Sequence, residues 1–209
     1  IHTLFYLYGF RMAELPKLLY MLGEKISSTL AHSLRTTTRD NLLPILKTNT
    51  ENGTVIHTLA AKGDEDSLSA ALGRLSEESD VYELLRVTTA GGRTAIHEAA
   101  ASNHHSVIKY LLERLQQDQI FEILKVQDAG GSTALHVAVS KSHTESVCCI
   151  LSMLTQEQKL AVMSIENSQR EVVTDHFFEC DADTKEAVQF YFNSANTFRV
   201  NRTLNADKR

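Results

Sequence analysis

The sequence predicts an all-α solenoid of stacked helical hairpins, with a short extra helix in each repeat. Three observations carry that prediction. A six-residue block, Gly92-Arg93-Thr94-Ala95-Ile96-His97, returns as Gly131-Ser132-Thr133-Ala134-Leu135-His136, and Asn52-Gly53-Thr54-Val55-Ile56-His57 is an earlier copy. The three histidines stand 40 and 39 residues apart, and a fixed period of roughly 20 to 50 residues marks a repeat stack. With Gly 9 and Pro 2 in 209 residues, the chain also lacks the turn signals that an all-β sandwich needs every 8 to 12 residues or so.

Each element follows in order. After the motif histidine comes a small apolar stretch, Ala60-Ala61, Ala99-Ala100 or Ala138-Val139, predicting a first helix. Six residues past the histidine stands a residue suited to a helix end: Gly63, Asn103 or Ser142. A second helix follows, its buried stripe marked by Leu68, Leu72 and Leu75, then Val107, Ile108, Leu111, Leu112 and Leu115, then Val147, Ile150, Leu151 and Leu154. Spacings of three and four are those of one helical face. A third apolar segment precedes each new motif, at 82–87, 121–126 and 160–165, with Leu42, Leu43, Ile45 and Leu46 in the same place earlier. These predict a third helix of about two turns, and Thr155 with Gln158 has the spacing of a capping box.

The ends are less regular. Ile1-His2-Thr3-Leu4 repeats Ile56-His57-Thr58-Leu59, so the chain opens inside a repeat, and a Ser/Thr-rich insertion between Leu22 and Leu42 breaks the register. Counting on from His136 by the same interval reaches Asp175, inside a decayed copy at Val172-Val173-Thr174-Asp175. The expected units are 1–48, 49–88, 89–127 and 128–166, a degenerate cap at 167–192 and a basic tail or linker at 193–209. Phe177-Phe178 and Phe190-Tyr191-Phe192 are expected to seal the cap.

The pattern resembles the ankyrin repeat. The family's Thr-Pro-Leu-His-x-Ala is matched by Thr94-Ala95-Ile96-His97-Glu98-Ala99 and Thr133-Ala134-Leu135-His136-Val137-Ala138, and its Gly-His pair by Asn103-His104 and Ser142-His143. The resemblance covers residues 1–192. It implies paired antiparallel helices with hairpin loops projecting sideways, and motif histidines (His2, His57, His97, His136) that tie each helix start to the neighbouring loop. Two departures stand out: alanine or valine replaces the family proline, and the period exceeds the usual 33 residues or so.

Composition excludes several classes. A net charge of −5 argues against a duplex-binding surface, and no stretch of 18 or so uncharged apolar residues exists to span a membrane. The apolar run Ile1 to Phe10 lacks a basic n-region, so no signal peptide is expected. Three cysteines, Cys148, Cys149 and Cys180, make no disulfide framework and point to a reducing compartment.

Each candidate chemical site has a plainer account. Equivalent histidines in successive repeats lie about 10 Å apart, too far to share a zinc ion with ligands at about 2 Å, and no CxxC or HExxH accompanies His104, His105 or His176. Cys148 and Cys149 sit in mid-helix without a group to activate a thiol. Gly91-Gly92 and Gly130-Gly131 fit no phosphate loop and are expected to supply positive φ before a helix. Asp64-Glu65-Asp66 and Glu77-Glu78 form a solvated edge.

What remains is binding. In a repeat, identical slots are framework and variable slots are free to read a partner. The variable slots at loop tips and first-helix ends are Thr50, Glu51, Gly53 and Lys62; Ala90, Arg93 and Ser102; Ala129, Ser132 and Lys141; Gln169 and Glu171. Lys62, Arg93 and Lys141 give that groove a basic character, so the expected function is a protein–protein interaction module holding an acidic or phosphorylated segment. Expected with it are no catalytic residue, cofactor, metal or nucleic acid, a monomer, and a cytoplasmic location. The alternative is a non-catalytic fragment of an enzyme whose active domain lies outside this chain. In style the long leucine-rich unit resembles ankyrin-repeat effectors that intracellular bacteria inject into host cytoplasm.

Overall fold

The computed structural model of the protein describes residues 39–48, 53–75, 78–178 and 180–206. Among them run eleven α-helices and one 3₁₀-helix, with no β-strand. Helix α1 spans Arg39–Lys47. Three full units follow, α2 Val55–Lys62, α3 Glu65–Leu72 and α4 Glu78–Leu85; α5 Ala95–Ala101, α6 His105–Leu112 and α7 Gln117–Leu124; α8 Ala134–Ser140, α9 Thr144–Ser152 and α10 Gln156–Met163. The cap consists of the 3₁₀-helix Val173–Phe178 and α11 Ala182–Ala206. The third helix that the extra residues predict is thus present in every full unit, and Thr155 and Gln158 form the expected capping box, Gln158 N–H donating to Thr155 Oγ1 at 3.3 Å and Thr155 N–H to Gln158 Oε1 at 3.1 Å.

The first helices are short because both ends are fixed. Each starts after a threonine in extended backbone (Thr94 φ −83, ψ 169) and ends where the chain turns left-handed. Gly63 supplies that turn at φ 70, and Asn103 and Ser142 hold the same conformation at φ 56 and 57. Such a residue ends a helix whatever its identity, but a side chain there carries a penalty of about 1–2 kcal/mol that glycine avoids. Asn103 recovers part of it across the stack: its amide donates to Glu145 Oε2 at 2.9 Å and its carbonyl accepts from Ser146 Oγ at 2.8 Å.

First helices pack in one row, α2 on α5 on α8 on the 3₁₀-helix, and second helices in another, α3 on α6 on α9 on α11. The predicted stripes face between the rows: Leu68, Leu72, Ile108, Leu111, Leu112, Ile150 and Leu151 are fully buried. Each such side chain contributes about 1.5–3 kcal/mol by leaving water. The third helices add Leu84, Leu85, Ile123, Leu124, Val162 and Met163 to the same core.

Two expectations need correction. Of each glycine pair only the second, Gly92 or Gly131, has positive φ, because the left-handed residue sits at one point of the turn. The aromatic seal is incomplete as well. Tyr191 and Phe192 pack on the core, whereas Phe190 is 67% exposed, since it falls off the stripe of Thr184, Val188, Tyr191 and Ala195. Helix α11 runs unbroken through residue 193 to Ala206.

Candidate binding surface

Hairpin turns at 89–93, 128–132 and 167–171 share one bonding pattern. In each, the first residue's N–H donates to the last residue's carbonyl at 2.9 Å: Thr89 to Arg93, Asp128 to Ser132, Asn167 to Glu171. The first side chain also accepts backbone N–H groups from within the turn. Thr89 Oγ1 takes one from Arg93, Asp128 Oδ1 takes two from Gly130 and Ser132, and Asn167 Oδ1 takes two from Gln169 and Glu171. Successive tips are laced together, Ala129 N–H to Gly91 carbonyl at 2.8 Å and Ser168 N–H to Gly130 carbonyl at 3.0 Å.

The motif histidines set the first helices against these hairpins. Thr54, Thr94 and Thr133 each donate a backbone N–H to Nδ1 of the histidine three residues on, at 3.1, 3.2 and 3.3 Å. A backbone N–H can only donate, so Nδ1 is bare and the ring's one proton is on Nε2. His57 Nε2–H then donates to Arg93 carbonyl and His97 Nε2–H to Ser132 carbonyl, both at 3.1 Å. The role that the family resemblance implies for these rings is therefore present at His57 and His97; His2 lies outside the described residues. Burial holds all three rings below the ordinary value of 6.5, His97 at about 4, because the charged form would be held away from water.

A second histidine set ties the stack from the other end. His104 Nε2 lies 3.1 Å from Ala61 carbonyl, its ring packed over Gly63, where a Cβ would come within 2.6 Å of it. Asn103 occupies the equivalent backbone position in the next unit. There His143 meets Ala100 carbonyl through Nδ1 at 2.7 Å, and Lys141 Nζ takes Ala101 carbonyl at 3.1 Å.

The predicted site residues fall along this framework. Ala90, Ala129 and Gln169 are exposed at hairpin tips; Lys62, Ser102 and Lys141 stand at the ends of α2, α5 and α8, Ser102 and Lys141 bordering the left-handed turns. Arg93, Ser132 and Glu171 are half-buried in the hairpins, while Gly53 is buried. Thr50 and Glu51 lie outside the described residues. Arg93 is more constrained than its variable slot suggests, with Nη1 3.3 Å from Glu98 Oε1 and Nη2 donating to His97 carbonyl at 3.5 Å. Glu171 Oε2 accepts from Asn167 Nδ2 at 3.0 Å.

The surface also contains residues that tip-based reasoning missed. Thr58, Glu98, Val137 and His176 are half-buried at one register on the first-helix row, each directly after the motif histidine or its substitute Asp175. Their changing chemistry beside an invariant slot was the available signal. Basic groups border the surface, with Arg93 and Arg170 on the hairpin side and Lys62 and Lys141 about 10 Å away along helices that rise 1.5 Å per residue.

Other chemistry is absent or muted among the described residues. No group of three or more His, Cys, Asp and Glu could hold a metal ion, and no helix is long and apolar enough to cross a membrane. Burial pushes all three thiols up, Cys149 to about 11, which keeps them protonated and unreactive near neutral pH.

A family model described as ankyrin repeats (3 copies) matches residues 56–161. A chain from the crystal structure of the yeast ribosomal protein Rps3 in complex with its chaperone Yar1 is similar in fold, with a TM-score of 0.51 and 24% identity over 66% of this chain and 89% of that one. No curated protein sequence matches.

Proposed function

We propose that this chain, which belongs to the ankyrin-repeat family, is a non-catalytic module that holds a partner protein on its first-helix row and hairpin tips. One observation carries the reading. Repeat positions divide into buried slots committed to joining units (Thr94, His97 and their copies) and half-buried or exposed slots beside them whose chemistry changes from unit to unit. A surface built this way presents a long recognition face with no deep cavity. The solved neighbour comes from a ribosomal protein bound to its chaperone, a partner-holding role of the same kind.

The finer reading is an acidic or phosphorylated segment lying between the two basic borders, with Lys62 and Lys141 as its contacts at the helix ends. Arg93 is a weaker choice for a test, because replacing it with glutamate would set two carboxylates together at Glu98. The double variant Lys62→Glu/Lys141→Glu is the cleaner probe. Fluorescence anisotropy with a labelled poly-glutamate peptide and a phosphoserine-rich peptide should show binding that weakens as salt rises and falls at least about tenfold in the double variant, equivalent to about 1.4 kcal/mol. Binding that ignores both salt and the variant would move the contact elsewhere. The same surface would serve as the targeting arm of a larger protein, including an effector acting in host cytoplasm.

A further inference from the structure

We infer that the crevice between α10 and α11 is a second docking site, one that takes a partner-protein segment with a carboxylate next to a large apolar side chain. The crevice belongs to the second- and third-helix side of the cap, since α11 packs on α9 and α10. It is separate from the first-helix row and hairpin tips, and does not depend on the reading given for them.

Three groups that lack partners meet there. The first is Lys159. Repeat register puts Val81, Ile120 and Lys159 in one slot, and all three are buried, at 3%, 5% and 7% exposure. A slot that is apolar in two units therefore holds an ammonium in the third. Lys159 Nζ lies over the Tyr191 ring, 5.1 Å from its centroid, and among the described residues no carboxylate or carbonyl pairs with it. The other cations over rings are each held twice. Arg86 over Tyr82 also pairs with Glu83, Lys125 over Phe121 with Glu122, and Arg114 over Tyr110 donates to Leu72 carbonyl. A ring face attracts an ammonium, but a charge removed from water without a counter-charge remains unfavourable. Burial holds the Lys159 amine below its ordinary 10.5, with no carboxylate to raise it.

The second group is the Gln156 amide, one turn before Lys159 on α10. Its Nε2 donates to Ser194 Oγ of α11 at 3.4 Å, while its Oε1 is buried with no hydrogen-bond partner. The third is Phe190, whose large apolar side chain is 67% exposed. Its ring meets Tyr191 edge-on, with centroids 5.5 Å apart and planes at 79°. Tyr191 thus touches both the unpaired ammonium and the exposed ring, and Ser194, which holds Gln156, is one turn further along α11.

Each group specifies what it lacks. Lys159 needs an anion, Gln156 Oε1 an N–H donor, and Phe190 apolar surface. A peptide with Asp or Glu beside Leu, Ile or Phe supplies all three, its backbone N–H serving Gln156. A free inorganic anion would satisfy Lys159 alone and leave Phe190 in water.

Panning a phage-displayed library of random peptides on the full chain, with a Lys159→Met/Phe190→Ser double variant as the subtracting bait, isolates ligands of the crevice. The recovered peptides should pair Asp or Glu with a neighbouring Leu, Ile or Phe. In fluorescence anisotropy their affinity should fall at least about tenfold in Lys159→Met and in Phe190→Ser, and stay within about twofold in Lys62→Glu/Lys141→Glu, whose substitutions additivity treats as distant. Lys159→Met keeps an unbranched stem in the apolar slot and removes the unpaired charge, so it should also raise the melting temperature, by about 2 °C or more. A lower melting temperature would mean that the ammonium is already satisfied within the chain, and would overturn the inference. Recovery of no peptide, peptides without the acidic–apolar pair, or affinities untouched by either single variant would overturn it as well. So would self-association of the chain in sedimentation that Lys159→Met abolishes, which would assign the crevice to a second copy.

Discussion

The hairpin at 128–132 and the hairpin at 167–171 do one task with different residues. In the first, Asp128 gathers the turn's N–H groups, Gly131 takes the left-handed position at φ 72, and His136 receives Thr133 N–H. In the second, Asn167 does the gathering, Arg170 sits left-handed at φ 63, and Asp175 Oδ2 receives Val172 N–H at 2.8 Å. Geometry persists where the motif has decayed. A repeat position is therefore a physical requirement (an acceptor at a set height, a tolerated φ) before it is a residue type. The second set meets the requirement at higher cost and with one function missing: a carboxylate at 175 accepts the backbone N–H but has no ring to reach onward to another unit.

The largest effect should separate the middle of the stack from its end. Leu111 is fully buried between rows with a unit on either side, whereas Val188 is equally buried but belongs to the last helix. Leu111→Ala should lower unfolding free energy by about 4 kcal/mol in urea titration, within the range for large-to-small core changes, and should lower the transition of the whole chain. Val188→Ala removes less volume and affects a single interface, so about 2 kcal/mol is expected, confined to cap signals. Equal effects would mean that the cap is as integral to the core as the middle units.

Much of this architecture was legible in the sequence because the repeat turns tertiary requirements into periodic ones. The third helices could be read from Tyr82, Phe121 and Leu160 recurring with their neighbours, and the helix ends from Gly63, Asn103 and Ser142 at a constant distance from histidine. What escaped depends on a neighbour that no periodicity encodes. Glu98 lies five residues from Arg93, neither three nor four, and the two meet only because the chain bends at Thr94. His176 occupies the slot of Val137 in the preceding unit, but its side chain is 12% exposed and turned onto His136. The site residues were legible as slots and not as chemistry, since Arg93 and Lys141 are partly used by the scaffold itself.

An acid titration sharpens the contrast between a joint built on histidine and one built on carboxylate. His97 is held at about 4 against an ordinary 6.5, so the unfolded chain binds the extra proton first as pH falls. Its contribution is complete above about pH 6.5 and disappears progressively toward pH 4. That contribution is roughly 3 kcal/mol, because each tenfold difference in proton affinity between the folded and unfolded chain is worth about 1.4 kcal/mol. His97→Ala should already have lost the stabilising bonds at pH 7.5 and should show a shallower decline below pH 6.5. Asp175→Ala, by contrast, should lower stability by about 1 kcal/mol, the usual effect of losing a helix-start acceptor, without steepening the decline over that interval. A wild-type chain equally stable at pH 7 and pH 4.5 would contradict the neutral-ring assignment.

The smallest effect tests whether the decayed hairpin tolerates its substitute or depends on it. Arg170 holds a conformation that disfavours any side chain, and its side chain is exposed, so little is lost by removing it. Arg170→Gly should therefore raise unfolding free energy by up to about 1 kcal/mol, the part of the left-handed penalty that remains after glycine's greater freedom in the unfolded chain is subtracted. The converse change is not symmetrical. A Cβ at Gly131 would come within 2.5 Å of Ser168 N, so Gly131→Ala must strain the backbone and also push apart the two tips joined by Ser168 N–H and Gly130 carbonyl. The loss should exceed the left-handed penalty alone, about 2 kcal/mol, and should appear as faster exchange at Ser168. If Arg170→Gly is destabilising instead, the guanidinium has a contact that offsets its backbone strain, and the cap hairpin is a specialised element rather than a worn copy.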